Sequence, residues 1–290
     1  MITKKLSIEW WRKDADKPVA IMLLIAHISA LGVCFPQFFS WSGVAIFFFL
    51  YWVTGWLGIT LGYHRLLTHT SFKTYKWIRS VLTLFGCLAW QGPPITWVGT
   101  HRNHHNHSDK EGDSHSPIHG FNWAHMLWVV TKDPPGFNAS NLAKDLGSEP
   151  MMRTLDRVWW LPQLILATLL FCIGWGFGGV MLAFSWLFWG VSLRIIAVLH
   201  ATWFVNSACH TWGYKNFHDT GDNSRNLLWV GLISGGEGYH NDHHKKQRSA
   251  AHGIRWFEID ATYLTILLMK YMGLAWDIVP PPELPEKVRE

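Results

Sequence analysis

From Val19 to Phe39 the chain runs without an Asp, Glu, Lys or Arg, and it does so again from Gly43 to Tyr63. Each run is about 20 residues, enough for one helix across roughly 30 Å of hydrocarbon. From Val158 to Tyr214 the only such charge is Arg194, and GWGFGG (174–179) interrupts that stretch. The pattern predicts four transmembrane helices at about 19–39, 43–63, 158–178 and 182–207, paired as two hairpins with short turns. Ser80–Thr100 is also uncharged, but QGPP (91–94) breaks it and leaves too short an apolar run to span. It reads as an interfacial or re-entrant element, and Ala261–Ala275, interrupted by Lys270, as a surface helix. The expected fold class is an all-α integral membrane protein with a helical cap. A tail (1–18) would precede a single membrane domain (19–276), and a Pro-rich tail (277–290) would follow it.

Charge fixes the side on which the cap stands. Five Lys/Arg precede the first span, ten lie between the second and third, and nine follow the fourth. The hairpin turns near 40–42 and 174–179 carry none. The positive-inside rule then places both termini and the cap in the cytoplasm, on the inner or plasma membrane if the source is bacterial. The opening MITKKLSIEWWRKDADK is too charged for a cleaved signal peptide. A formal charge of +5, with no basic stripe in a nucleic-acid-binding motif, excludes nucleic acid as a partner. The four cysteines lie in apolar sequence without metal-type pair spacing and read as reduced thiols.

Of the 17 histidines, many fall in three boxes: HRLLTH (64–69), HRNHH (101–105) and HNDHH (240–244). All three lie on the cap side. His101, His104 and His105 have i, i+3, i+4 spacing, as do His240, His243 and His244, so each triplet could aim several nitrogens at one point. His64 and His69 are five apart and would diverge on a regular helix, which fits a helix end. Asn206 and His210 are four apart near the end of the fourth span. One four-coordinate zinc would leave several of these nine histidines idle, so two metals use the set better. Imidazole suits zinc, copper, iron and nickel alike. Asp109, Asp113, Glu237 and Asp242 sit beside the boxes and could orient imidazoles, or could be solvated loop charges. His27 and His200 in the spans, and His107, His119, His125, His218 and His252 in the cap, read as hydrogen-bonded structural residues.

These residues resemble the membrane fatty acyl desaturases of the Δ9 type. GYHRLLTH (62–69), THRNHHNHSDKEGDSHSP (100–117), HATWFVNSACH (200–210) and GEGYHNDHH (236–244) carry the resemblance, which runs from the first span to Trp276. A single histidine box is shared with alkane hydroxylases and sterol or carotenoid oxygenases; NSACH with GEGYHNDHH is more specific. The resemblance implies two iron ions held by His64, His69, His101, His104, His105, His210, His240, His243 and His244, with Asn206 reaching one through water. Zinc could replace iron in recombinant material. It further implies a cis double bond put into a saturated acyl chain with O2 and electrons from a separate carrier, a ferredoxin or a b-type cytochrome. Gln91, Trp97, Thr202 and Trp203 match family positions that shape the acyl tunnel, although tryptophan is common throughout this chain.

One departure bears on the substrate. Animal acyl-CoA members carry arginines around the second box and an Arg-Lys pair beyond it. Here those places read Gly99, SPIHG (116–120) and Thr131-Lys132. The expected substrate is therefore an acyl chain on a membrane lipid, with acyl-CoA as the alternative. Competing activities are a di-iron hydroxylase, a histidine-rich metal transporter, which would place ligands along the spans, and a scaffold around one structural zinc.

Overall fold

The computed structural model describes residues 8–286. Lys4, Lys5, Lys287 and Arg289, four of the basic residues in the charge pattern, lie outside the described residues, as do the outer parts of both expected tails.

The first apolar helix, Lys17–Ala30, starts where Asp16 accepts a hydrogen bond from the Val19 amide at 3.2 Å, with Pro18 in the first turn. It tightens into a 3-10 turn over Leu31–Cys34 and stops before Pro36. Phe35 is extended (φ −92, ψ 120), the conformation that a following proline imposes. The expected span 19–39 therefore ends early. Ser40 caps the returning helix through the Gly43 amide at 3.0 Å. That helix runs over Trp41–Tyr51 and continues through Trp52–Thr68 with the wider i→i+5 winding of a π-helix. It outruns the expected end at residue 63 and carries His64 inside its last turns.

Leu161–Leu187, Phe188–Leu193 and Arg194–Ser207 follow one another as helix, but the chain reverses within the first of them. Gly178 leaves helical geometry, and Gly179 takes φ 72, ψ −172, a backbone that side chains disfavour. As a result a Cβ on Gly190 would stand 3.2 Å from the Leu170 side chain. In a straight helix those 20 positions would be about 30 Å apart.

Among the described residues, three helical stretches are long and apolar enough to cross a membrane: Lys17–Cys34, Trp41–Thr68 and Leu161–His210, the last containing the reversal. Their outward faces carry bare apolar side chains, Ile25, Phe48, Leu169 and Phe177 among them. A water-soluble chain would bury such faces, so this is a membrane protein. The two reversals lie together, joined by Ser40–Ser185 at 2.7 Å and by Trp186 Nε1 donating to Ser42 at 2.9 Å. The histidine boxes stand at the opposite end.

The remaining helices are short. Lys76–Leu88, 13 residues, is too short to span and lies on Trp52–Thr68. Contact there is close: a Cβ on Gly58 would meet the Phe85 carbonyl carbon at 2.5 Å. The QGPP break separates this helix from the next, Pro94–His107, which starts at its second proline. Ala261–Tyr271 is a surface helix capped by Asp260, with Leu264 and Leu268 outward. The otherwise helical fold adds a two-residue antiparallel pair, Lys73–Thr74 with Ala275–Trp276. Arg194 is fully buried and spends its guanidinium on the Leu88 and Gly190 carbonyls and, at 2.6 Å, on Gln163. It thereby ties the last long helix to the end of Lys76–Leu88.

Candidate metal centre

Local winding brings the histidines together. The His69 amide donates to the His64 carbonyl at 3.1 Å, an i→i+5 bond, so residues five apart face the same way and the two rings stand 4.7 Å apart. The spacing that would diverge on an α-helix converges on this one. His101, His104 and His105 lie on Pro94–His107, and His240, His243 and His244 on His240–Lys245. Helix Arg194–Ser207 ends before His210, and a 3-10 turn, Ala208–His210, swings that ring into the cap.

The nine rings form two groups. Ring nitrogens of His64, His69, His101, His105 and His243 all lie within 4.8 Å of one another, and so do those of His104, His210, His240 and His244. Neither triplet serves a single point, as its spacing suggested. His101 and His105 go one way and His104 the other; His240 and His244 share a group that His243 leaves. At about 100° per residue, the i and i+4 members share a face and the i+3 member looks off to the side.

The donor set fits metal ions. Within the first group, Nε2 atoms approach at 2.9 Å (His105–His243), 3.0 Å (His101–His105) and 3.2 Å (His64–His243). In the second they approach at 3.0 Å (His240–His244) and 3.3 Å (His104–His244). Two nitrogens held about 2.1 Å from one ion at right angles would stand about 3.0 Å apart. His69 Nε2 and His210 Nε2 are buried without any hydrogen-bond partner among the described residues, which a metal bond would satisfy.

Carboxylates hold four of the rings from behind. His64 Nδ1 meets Glu237 at 2.6 Å, His104 meets Asp113 at 2.9 Å, His210 meets Asp109 at 3.0 Å and His244 meets Asp222 at 2.5 Å. Each contact takes Nδ1 and leaves Nε2 for the centre. Asp109 and Glu237 are therefore buried orienting groups and not solvated charges. Burial alone would raise the Glu237 pKa, but His252, His64 and Arg65 hold it well below the carboxylate range. His104 and His115 do the same to Asp113 against its burial. For the imidazoles burial works in the opposite sense, lowering the pKa where it would raise a carboxylate's. Burial, then neighbouring imidazoles, push His101, His105, His240 and His243 well below their ordinary value, and His244 to about 4. Neutral imidazole is the form that binds metal.

Several placements differ from expectation. Asp242 touches no histidine of the two groups; it faces Asn216 at 3.0 Å beside Glu258, and burial together with Glu258 pushes its pKa up to about 8. Asp222 was not anticipated, because nothing in its spacing marks it; the fold alone brings it to His244. His252 is buried as expected, and its Nδ1 lies 3.1 Å from Glu237, the carboxylate behind His64. His27, His200 and His125 form a hydrogen-bonded row ending on Ser207, in keeping with a structural role.

A cavity of about 450 Å³ runs beside the histidines. It reaches the surface at exposed Lys132 and Asp133, passes His64, His101, His240 and Asn206, and extends to Tyr51 and Ile233. Gln91, Trp97, Thr202 and Trp203 all line it. Gln91 donates to Thr202 Oγ1 at 2.8 Å and accepts from Trp97 Nε1 at 3.0 Å, and Trp97 stacks on His101 at 5.3 Å. Trp203 is buried against His200, 5.1 Å away.

A sequence profile of the fatty acid desaturase family matches residues 18–269. The chain is 44% identical over 258 residues to an sn-1 stearoyl-lipid 9-desaturase of Anabaena variabilis, covering 89% of this chain and 92% of that one. It is also 44% identical over 258 residues to an sn-2 palmitoyl-lipid 9-desaturase of Nostoc sp. (strain 36), covering 87% of each. An acyl-CoA C20 Delta5-desaturase of Anemone leveillei is 38% identical over 288 residues, with 97% and 88% covered.

Proposed function

The chain belongs to the fatty acid desaturase family, and from that premise we propose an oxygen-dependent acyl-lipid desaturase that places a cis double bond, at Δ9, in a saturated chain still attached to its membrane lipid. The observation that carries this reading is the cavity that opens at Lys132 and Asp133 and runs past members of both histidine groups, His64, His101 and His240. The names of the two relatives at 44% identity support the lipid carrier and the bond position.

The nine histidines would hold two iron ions, five donors on one and four on the other, with Asn206 reaching one of them through water. Bound there, iron supplies the dioxygen chemistry by which two hydrogens leave the chain. In balance, one CH2–CH2 unit becomes CH=CH, and O2 with two electrons and two protons becomes two waters. The electrons come from a separate carrier. Residues of this chain set the stage. Glu237, Asp113, Asp109 and Asp222 hold the imidazoles in one tautomer. Gln91, Thr202 and Trp97 form a hydrogen-bonded wall that fixes which methylenes lie beside His101, and Trp203 packs behind it. Apolar lining contributes about 0.8 kcal/mol per buried methylene, enough to hold an acyl chain without a charged anchor.

We read four crossings, with the Leu161–His210 stretch crossing twice around Gly178–Gly179, and the cap and both termini in the cytoplasm. The domain limits remain 19–276, with tails on either side. The second reading is an acyl-CoA desaturase, favoured by the relative that carries that name. The mouth speaks against it: Asp16, Thr131, Lys132 and Asp133 line the opening, with no arginine to grip phosphates. The test is expression in a host lacking monounsaturated lipids, with double bonds located by mass spectrometry. Acyl transfer to lipid is then blocked while labelled acyl-CoA is supplied. Double bonds in intact lipid alone support the proposal; rapid formation of unsaturated acyl-CoA defeats the lipid carrier, and an alcohol product would indicate a hydroxylase.

A further inference from the structure

The two histidine groups are held in place by different means. In the four-ring group three rings have a carboxylate behind them: His104 rests on Asp113, His210 on Asp109 and His244 on Asp222. In the five-ring group only His64 does, through Glu237. Among the described residues no carboxylate backs His69, His101, His105 or His243. Nδ1 of His105 and Nδ1 of His243 are buried there without a hydrogen-bond partner. What aligns these rings must then act through the backbone that carries them.

Arg102 is placed to do so. It follows His101 on Pro94–His107, and its guanidinium reaches the end of Trp52–Thr68, the helix that carries His64. Nε donates to the Thr68 carbonyl at 3.3 Å, and Nη2 to the Leu67 and Thr68 carbonyls at 3.2 and 3.3 Å. His69 is the next residue. Carbonyls in a last helical turn have no partner within the helix, and a cation there also meets the negative end of the helix dipole. From the other side Nη1 donates to the Leu142 carbonyl at 2.9 Å, and Asp145 grips the fork with both oxygens, at 2.7 and 2.9 Å. The turn Ala139–Leu142 lies hard against the same helix, since a Cβ on Gly99 would collide with the Ala139 carbonyl oxygen. One side chain thus joins the backbone under His64 and His69 to the helix that carries His101 and His105. The four-ring group shares only His104 with that helix, and none of the three carboxylates behind its rings touches Arg102.

We propose that Arg102 is a positioning residue for one metal site of the two, holding the five-ring group in register while carboxylates hold the four-ring group. The inference rests on the reading of the nine histidines as two metal sites. A guanidinium suits this joint because its planar fork serves two helix-end carbonyls, a turn carbonyl and a carboxylate at once. Lysine keeps the charge but offers one compact centre that cannot reach all of them.

The full-length protein in lipid nanodiscs is loaded with Zn2+, and the metal left on each chain is followed during incubation with EDTA. Wild type should hold two ions and release both slowly. Arg102→Lys should release one ion about 10- to 100-fold faster, the range found when support behind a metal ligand is lost, and keep the other at the wild-type rate. Asp145→Asn, which loosens the fork from its far side, should do the same to a smaller degree. Arg79→Lys breaks a comparable two-oxygen pair, with Glu149, on a helix without histidines, and should speed neither release. Double variants identify the site. Added to His69→Ala, Arg102→Lys should cause no further loss; added to His210→Ala, it should leave no firmly held ion. Release unchanged in both Arg102→Lys and Asp145→Asn, equal loss of both ions, or the same loss in Arg79→Lys would each overturn the inference. Fewer than two ions on wild type would instead overturn the metal reading beneath it.

Discussion

Glu237 Oε2 lies 2.6 Å from His64 Nδ1, and the same carboxylate faces Arg65 at 3.2 Å through its other oxygen. Arg65 is completely buried between Glu237 and Asp260. One acidic residue thus orients a ring of the first histidine group and balances an interior cation. Glu237→Gln keeps the shape and removes the charge. Metal affinity should fall about 10- to 100-fold, the usual cost of losing a partner behind a ligand. Stability should fall by about 3 kcal/mol, because Arg65 is left half compensated. Metal analysis after mild chelation, together with thermal unfolding, checks both. Unchanged metal retention would remove Glu237 from this role.

Thr202→Val should alter the product more than the rate. It removes the acceptor for Gln91 while keeping the volume. One neutral hydrogen bond contributes about 1 kcal/mol, so total turnover should stay within about fivefold. The wall beside Trp97 loosens, and double bonds should spread to neighbouring positions. Mass spectrometry of the lipid products decides; a single unshifted product would show that Thr202 does not set the position.

Proton linkage gives a prediction for the metal-stripped chain. His69, His101, His105, His240 and His243 are held well below their ordinary value of 6.5 by burial and then by neighbouring imidazoles. Above that pH both folded and unfolded states are neutral at these sites, and stability does not vary through them. Below it the unfolded chain takes up protons that the folded chain refuses, so stability must fall as pH drops. Unfolding temperatures of chelator-treated protein should be level from pH 8 to 7 and decline steadily towards pH 5. A flat profile down to pH 5 would contradict the burial of these imidazoles.

Topology can be read by cysteine labelling in a background lacking the exposed Cys34 and Cys172. Ser42 and Gly178 sit exposed at the two reversals, and Asn106 and Gln247 are exposed on the cap. Ser108 and Ser249 would be poor sites, since both are buried. Labels at 42 and 178 should react from outside the cytoplasm and those at 106 and 247 from inside. Opposite labelling of 106 and 247 would rule out a shared cytoplasmic centre.

Much of this protein was legible along the chain because the governing physics is local. A charge inside hydrocarbon is costly, so uncharged runs mark the apolar helices, and Pro36 and Gly178–Gly179 end them where a backbone donor or a helical φ is lost. Six histidines in two triplets at helical spacing, with His64, His69 and His210 beside them, announce a multi-metal site, because few other side chains would be repeated that way. Tertiary structure decided the rest. Helical spacing sets the direction of His104 relative to His105 but not which ring each meets; only the relative placement of Trp52–Thr68, Pro94–His107, Ala208–His210 and His240–Lys245 divides the rings five and four. The i→i+5 winding that turns His64 and His69 to one side belongs to a helix, Trp52–Thr68, that packs against Lys76–Leu88, and no short window of sequence records either. Asp109 reaches His210 across 101 positions, and Arg194 reaches the Leu88 carbonyl across 106. Such contacts depend on where separate elements stand in space, and spacing along one element carries no information about that.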